Sequence, residues 1–174
     1  MKWKNVDSGA GVYFITGTVS FWAPLLERVE VCSIVCEALE DTLTECDASL
    51  LAWVVMPEHL HLVVYLPEEG QLHRFNQPWR GRSARLVLAR LRADGDVAAL
   101  SQLAGSGEVR FWKEQARTLG LETSHKLSEK VDYIYFNPVR RGLVDEPGDW
   151  QWSSFRFYEY GEQGLLPVDP SLGL

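Results

Sequence analysis

Residues 49–66 read SLLAWVVMPEHLHLVVYL, two apolar runs divided by Pro57 and Glu58. Each run is short for a buried helix and rich in residues that suit strands, so both are expected as strands, at 49–56 and 59–66, joined by a tight turn. The first of these reads as a buried strand, and the pair as a hairpin. In the second strand successive side chains point to opposite faces, which puts His59 and His61 on one face and Leu60 and Leu62 on the other. Two residues apart on one face, the imidazoles are rooted roughly 7 Å from each other. That is close enough to converge on one metal ion, the plainer alternative being two surface histidines on a half-exposed strand.

The rest of the chain supplies the neighbours. Residues 12–20, VYFITGTVS, are β-branched and aromatic and read as a strand. After a break at Phe21–Pro24, Leu25, Val29, Cys32, Cys36, Leu39 and Leu43 recur at helical spacing with acids between them. A second helix is expected over Trp79–Ala93, closed by Gly95 and followed by a loop to Gly107. EVRFWK, 108–113, is a candidate strand, and Ser124–Phe136 a further helix. The order strand, helix, strand, strand, helix, strand predicts an α+β fold of ferredoxin-like (βαββαβ) type, an antiparallel sheet with two helices on one face and an additional C-terminal helix. With Leu60 and Leu62 against the helices, the histidines fall on the opposite face.

At 174 residues the chain suits one domain, with a core over about 12–155 and a tail at 156–174. Three cysteines without a Cys-x-x-Cys pair are expected as reduced, packed thiols of a cytoplasmic protein. The N-terminal segment MKWKNVDSGAGVYF lacks the apolar core of a signal peptide, and no run is long enough to span a membrane. The net charge of −7 argues at first sight against a nucleic-acid partner. The distribution argues otherwise: Gly70–Ala93 contains no acid and carries Arg74, Arg80, Arg82, Arg85, Arg90 and Arg92, whereas seven acids lie between Glu27 and Asp47. Either the arginines form a binding face or they are the solvated side of a helix.

Two histidines need a further ligand to make a catalytic metal site. Around SEKVDYIYFNPVRRGLV, 128–144, and the two residues before it, Leu127, Val131, Ile134 and Tyr135 gather on one side of a helical wheel, and Lys126, Lys130, Tyr133 and Asn137 on the other. Asn137 precedes Pro138, so it is expected at the helix end with its amide free to coordinate. A tyrosine hydroxyl, with an ordinary pKa of about 10, is a weak nucleophile, but a divalent ion can polarise the phosphate it attacks and nearby cations can stabilise the developing charge. Two imidazoles and an amide suit manganese or zinc by ligand type, an order that metal availability can reverse in favour of magnesium.

WVVMPEHLHLVV, then VDYIYFNPVRRGLV, then DWQWSSF, in this order, resemble the REP-associated tyrosine transposases, single-tyrosine relatives of small insertion-sequence transposases in the histidine–hydrophobic–histidine (HUH) class. RFWKE at 110–114 looks like that family's strand before its tyrosine helix. The resemblance implies binding of single-stranded DNA beside a hairpin and metal-dependent cleavage with transfer of the 5′ phosphate to tyrosine. It makes Tyr133 the nucleophile and His59, His61 and Asn137 the ligands of Mg2+ or Mn2+. It gives Arg74, Arg80, Arg82, Arg85, Arg92, Lys130, Arg140 and Arg141 a use as DNA contacts, with Trp79, Trp112, Trp150 and Trp152 as stacking platforms or core residues. It also implies a cytoplasmic, nucleoid-associated protein and allows a homodimer. Two readings compete: a domesticated DNA-binding protein without transposition, and a zinc hydrolase that needs a third strong ligand such as His or Asp near the pair, a role for which the remaining histidines, His73 and His125, have no obvious spacing.

Overall fold

The computed structural model of the chain describes residues 11–172. Most of the N-terminal segment examined for a signal peptide, and the last two residues of the tail, lie outside this range. Four strands form, β1 (Gly11–Thr18), β2 (Ser49–Val55), β3 (His59–Leu66) and β4 (Arg117–Gly120). Five helices accompany them: α1 (Val29–Glu45), α2 (Gln71–Ala93), α3 (Val97–Ala104), α4 (Ser124–Arg140) and α5 (Phe155–Tyr160). The chain is α+β, with one sheet in the order β2-β3-β1-β4 and every neighbouring pair antiparallel.

The apolar hairpin occupies the middle and one edge of that sheet, and both of its faces are covered. On one side Tyr13, Ile15, Leu60, Leu62 and Val64 meet α1 and α2 through Cys32, Leu39, Phe75, Trp79 and Val87. On the other, Phe14, Val54 and Val63 meet Val131 and Ile134 of α4. The expected split of β3 into a leucine face and a histidine face is therefore what the packing shows. All three cysteines are free and buried. Among the described residues no helix is long and apolar enough to cross a membrane.

Several boundaries differ from the sequence reading, each for a local reason. Helix α1 begins at Val29, because Leu25–Glu27 form a 3-10 turn whose Leu26 N–H donates to the Pro57 carbonyl. Helix α2 begins at Gln71, well before Trp79, and continues through Pro78. A proline removes the bond to the carbonyl four residues back, here Arg74, and the Cys46 thiol donates to that carbonyl at 3.9 Å. The expected loop before Gly107 contains α3, whose Asp96 cap accepts from the Ala99 N–H.

Residues 108–113 do not make a ladder strand; Trp112 forms one isolated bridge to Val19, and Phe111 and Trp112 are anchored instead by core ring contacts. The fourth strand is the less apolar RTLG. Helix α4 passes Asn137 and Pro138 and ends at Arg140, so Asn137 lies inside the last turns. The end of the expected core, Trp152–Ser154, and Asp169 of the expected tail dock on the outer edge of β2. Val55 N–H donates to the Trp152 carbonyl, Ser154 N–H to that of Trp53, and Asp169 N–H to that of Leu50.

Candidate active site

Period two in β1 puts Phe14, Thr16 and Thr18 on the same face as the histidines, with Thr16 opposite His61 and Thr18 opposite His59. Strand β4 brings Arg117 opposite Thr16. Helix α4 crosses this face on Val131 and Ile134, and its next side presents Lys130, Tyr133 and Asn137; Arg141, just past its end, joins them. These residues and Trp22 line one cavity of about 280 Å³. The structure thus gathers His59, His61, Tyr133, Asn137, Lys130 and Arg141 at one place.

The imidazoles are oriented from behind. The buried Glu58 carboxylate lies 3.1 Å from His59 Nδ1 and accepts from Arg141 Nη1 at 2.7 Å. A carboxylate can only accept, so His59 Nδ1 carries the proton and Nε2 the lone pair. Thr16 Oγ1 lies 2.8 Å from His61 Nδ1. His61 Nε2 is buried and has no hydrogen-bond partner. In the tautomer that donates from Nδ1 to Thr16, that orphaned nitrogen offers a lone pair to the cavity. Burial holds both imidazole pKa values below the ordinary 6.5. The Glu58 charge works against this at His59, whereas at His61 the His59 and Lys130 charges add to it. Both rings are therefore neutral near pH 7, the form that ligates metal.

Tyr133 stands edge-on to His61, with ring centroids 5.2 Å apart, and to Phe14 at 5.9 Å. Lys130 Nζ and Arg140 Cζ lie 5.7 and 5.5 Å from its ring centroid. Tyr135 points elsewhere, against Phe155 and Tyr158, and burial pushes its hydroxyl pKa up. Asn137 is buried, with 5% exposure.

Other expected contacts lie apart. Arg74, Arg80, Arg82, Arg85 and Arg92 are all on α2, across the sheet from the cavity. Arg74 pairs with Glu68 at 2.8 Å, and Arg82 with Asp41 at 3.0 Å and Glu45 at 2.6 Å on α1. The Arg80 guanidinium caps the Lys113 and Glu114 carbonyls. Arg85 and Arg92 are exposed and have no carboxylate partner among the described residues. Across the α1–α2 contact the basic segment meets the acidic one through Arg82, which takes both Asp41 and Glu45. Trp79 and Trp112 are core residues, 0% and 6% exposed, so neither is a platform; Trp150 and Trp152 are half-buried against one another. His73 and His125 are exposed and remote, and among the described residues no three His, Cys, Asp or Glu side chains are grouped to hold a metal.

The sequence reading missed Glu58, taken only as a turn residue, and Thr16, Trp22 and Arg117. Arg117 carried no signal because β4 was not recognised. Thr16 could have been found by pairing β1 with β3.

No family model matches the chain. It is 33% identical over 118 residues to a REP-associated tyrosine transposase of Escherichia coli (strain K12), a match covering 68% of this chain and 59% of that protein. A second protein of that name, from Haemophilus influenzae, is 28% identical over 106 residues, or 60% and 57% of the two chains. The chain thus spans less than two thirds of the length of these relatives. Its fold is similar to that of a REP-associated tyrosine transposase solved bound to a REP hairpin, with a TM-score of 0.69 and 21% identity over 97% of this chain and 92% of the other.

Proposed function

Since the chain belongs to the REP-associated tyrosine transposase family, we propose that it binds single-stranded DNA beside a hairpin and cuts and rejoins it through a phosphotyrosine link at Tyr133. The observation that carries this reading is the convergence of His59 and His61 from β3 with Tyr133 and Asn137 from α4 on one cavity. We read the sheet with α1 and α2 on one face as the ferredoxin-like frame, and α4 on the other as the added helix that carries the nucleophile.

The donor set fits a divalent ion, Mg2+ or Mn2+: His59 Nε2, the orphaned His61 Nε2 and the Asn137 amide oxygen, with two nitrogens already fixed from behind. When bound there, such an ion would polarise the scissile phosphate and offset the charge that builds on it. Lys130 and Arg141 line the same cavity and supply fixed positive charge for the phosphate. Tyr133 Oη forms its bond to phosphorus as the bond to the 3′ oxygen breaks. The proton lost by tyrosine balances the one gained by the leaving 3′-OH. Lys130 and Arg140, both beside the ring, favour the phenolate as it develops. Attack of a second strand's 3′-OH on the phosphotyrosine reverses these changes and rejoins DNA.

The test uses purified protein, a manganese or magnesium salt and labelled DNA carrying the hairpins that flank its own gene, resolved on a denaturing gel. The wild type is expected to give a metal-dependent protein–DNA adduct that Tyr133→Phe does not give. Binding by both proteins without any adduct would instead describe a DNA-binding protein without strand transfer.

A further inference from the structure

After β1 the chain turns sharply, and two consecutive aromatic residues, Phe21 and Trp22, adopt left-handed backbone with φ of 54° and 55°. Bulky side chains rarely occupy that region, and where they do the surroundings hold them there. Phe21 is held by Gly105, where an added Cβ would stand 2.3 Å from the Phe21 ring. The outcome is not burial, since Phe21 and Trp22 remain 59% and 51% exposed. Single exposed aromatics are ordinary; a strained pair turned outward at the rim of a cavity is not.

Trp22 also lines the cavity itself, edge-on to His59 with centroids 6.1 Å apart. Tyr133, His61, His59 and Trp22 thus stand in a row, with the nucleophile at one end and the indole at the other. Lys113 Nζ lies 4.0 Å from the Trp22 ring centroid, and Arg117 is near it on the cavity wall. Neither cation has a carboxylate partner among the described residues, unlike Arg74 and Arg82. Lys113 covers one face of the indole, and a half-exposed ring backed by an unneutralised cation is what an unpaired nucleobase and its phosphates require, because every base has a stacking face and every linkage a negative charge. A protein or lipid partner would not explain why the ring faces into the phosphate cavity.

We propose that Trp22 is the stacking platform for the nucleobase flanking the phosphate that Tyr133 attacks, with Lys113 and Arg117 holding the adjoining phosphates. This rests on the reading of the site as one for single-stranded DNA. It assigns Trp22 a role in holding the nucleotide next to the cut, whereas the histidines and Tyr133 act on the phosphate itself.

The experiment is equilibrium binding in the Tyr133→Phe background, which needs no chemistry. The probe is a synthetic hairpin with a single-stranded arm from the DNA flanking the gene, carrying 2-aminopurine or an abasic residue at each arm position in turn. One position is expected to show quenching on binding that Trp22→Ala removes and Trp22→Phe largely keeps. An abasic residue there should weaken binding by Trp22 protein roughly tenfold or more, and leave Trp22→Ala, already weakened by that amount, almost unaffected. Quenching retained at that position in Trp22→Ala, or equal abasic penalties in both proteins, would overturn the platform while the adduct assay still stands. Loss of all DNA binding by the Trp22 protein would overturn the platform and the single-stranded DNA reading together. If Trp22→Ala fails to fold, Trp22→Leu carries the same comparison, and an abasic series on the Trp22 protein with no sensitive position overturns the platform by itself.

Discussion

Glu58 shows what one residue can decide at this site. Its buried carboxylate holds the His59 Nδ1 proton and the Arg141 guanidinium at once, so it fixes a ring and a cation together. Glu58→Gln keeps the shape and removes the charge. The expected result is a loss of manganese affinity of about 10- to 100-fold by calorimetry, with the fold retained by circular dichroism. The histidines themselves predict a pH dependence. Folded, both imidazoles sit below 6.5; unfolded, they take up protons near that value. The unfolded chain therefore binds more protons below pH 6.5, and this part of the stability is complete above 6.5 and lost as pH falls toward the folded values. The limit is about 1.4 kcal/mol per pH unit for each histidine. Urea midpoints of metal-free protein should fall from about pH 7 to about pH 5, and fall less in His61→Gln. At this scale the sequence was most legible where spacing alone decides direction. His59, His61 and Tyr133 followed from periods of two and of three to four. Thr16, Glu58 and Arg117 did not, because their roles depend on which strand lies beside which.

Among the elements, the apolar hairpin and the histidine strand could be read almost to the residue, since a central strand with two covered faces leaves little freedom. Helix α2 shows why boundaries fail. Pro78 reads as a start, but a thiol from the end of α1 reaches the carbonyl that proline leaves free, and no local pattern announces that. Pro138 misleads in the same way about the end of α4. Helix α3 was legible in principle from Asp96 and the Ala99–Leu103 spacing, and was hidden by the glycines around it. The segment 108–113 is as apolar as a strand because it fills the core, so burial and pairing were confused. Strand β1 carries its own test. Gly17 faces Trp79, and a Cβ there would stand 2.7 Å from the indole. Trp79 is fully buried and cannot retreat, so Gly17→Ala should destabilise by about 1–3 kcal/mol in thermal or urea unfolding. Gly81, with open space around it, is the control: Gly81→Ala should not lower stability.

For the whole molecule, charge is sorted by face rather than spread. Asp41 and Glu45 of α1 answer Arg82 of α2 on one side of the sheet, while Arg117, Arg140 and Arg141 stand around the cavity on the other. The net charge of −7 hid this, since a sum carries no geometry. Anisotropy titrations across a salt series should separate the two groups. Arg117→Ala is expected to reduce the slope of log affinity against log salt by about 0.7, the value for one single-strand phosphate contact, and Arg82→Ala to leave it unchanged. The strap along β2 has a consequence of another kind. Ser154 closes on Trp53 from 101 residues away, and Asp169 on Ser49 from 120. A chain emerging from the ribosome would complete its histidine hairpin and then carry the bare edge of β2 until Ser154, 101 residues beyond Trp53, had been made. Unpaired edges recruit other strands, so the vulnerable period for aggregation is written into the order of synthesis and ends only when the strap arrives.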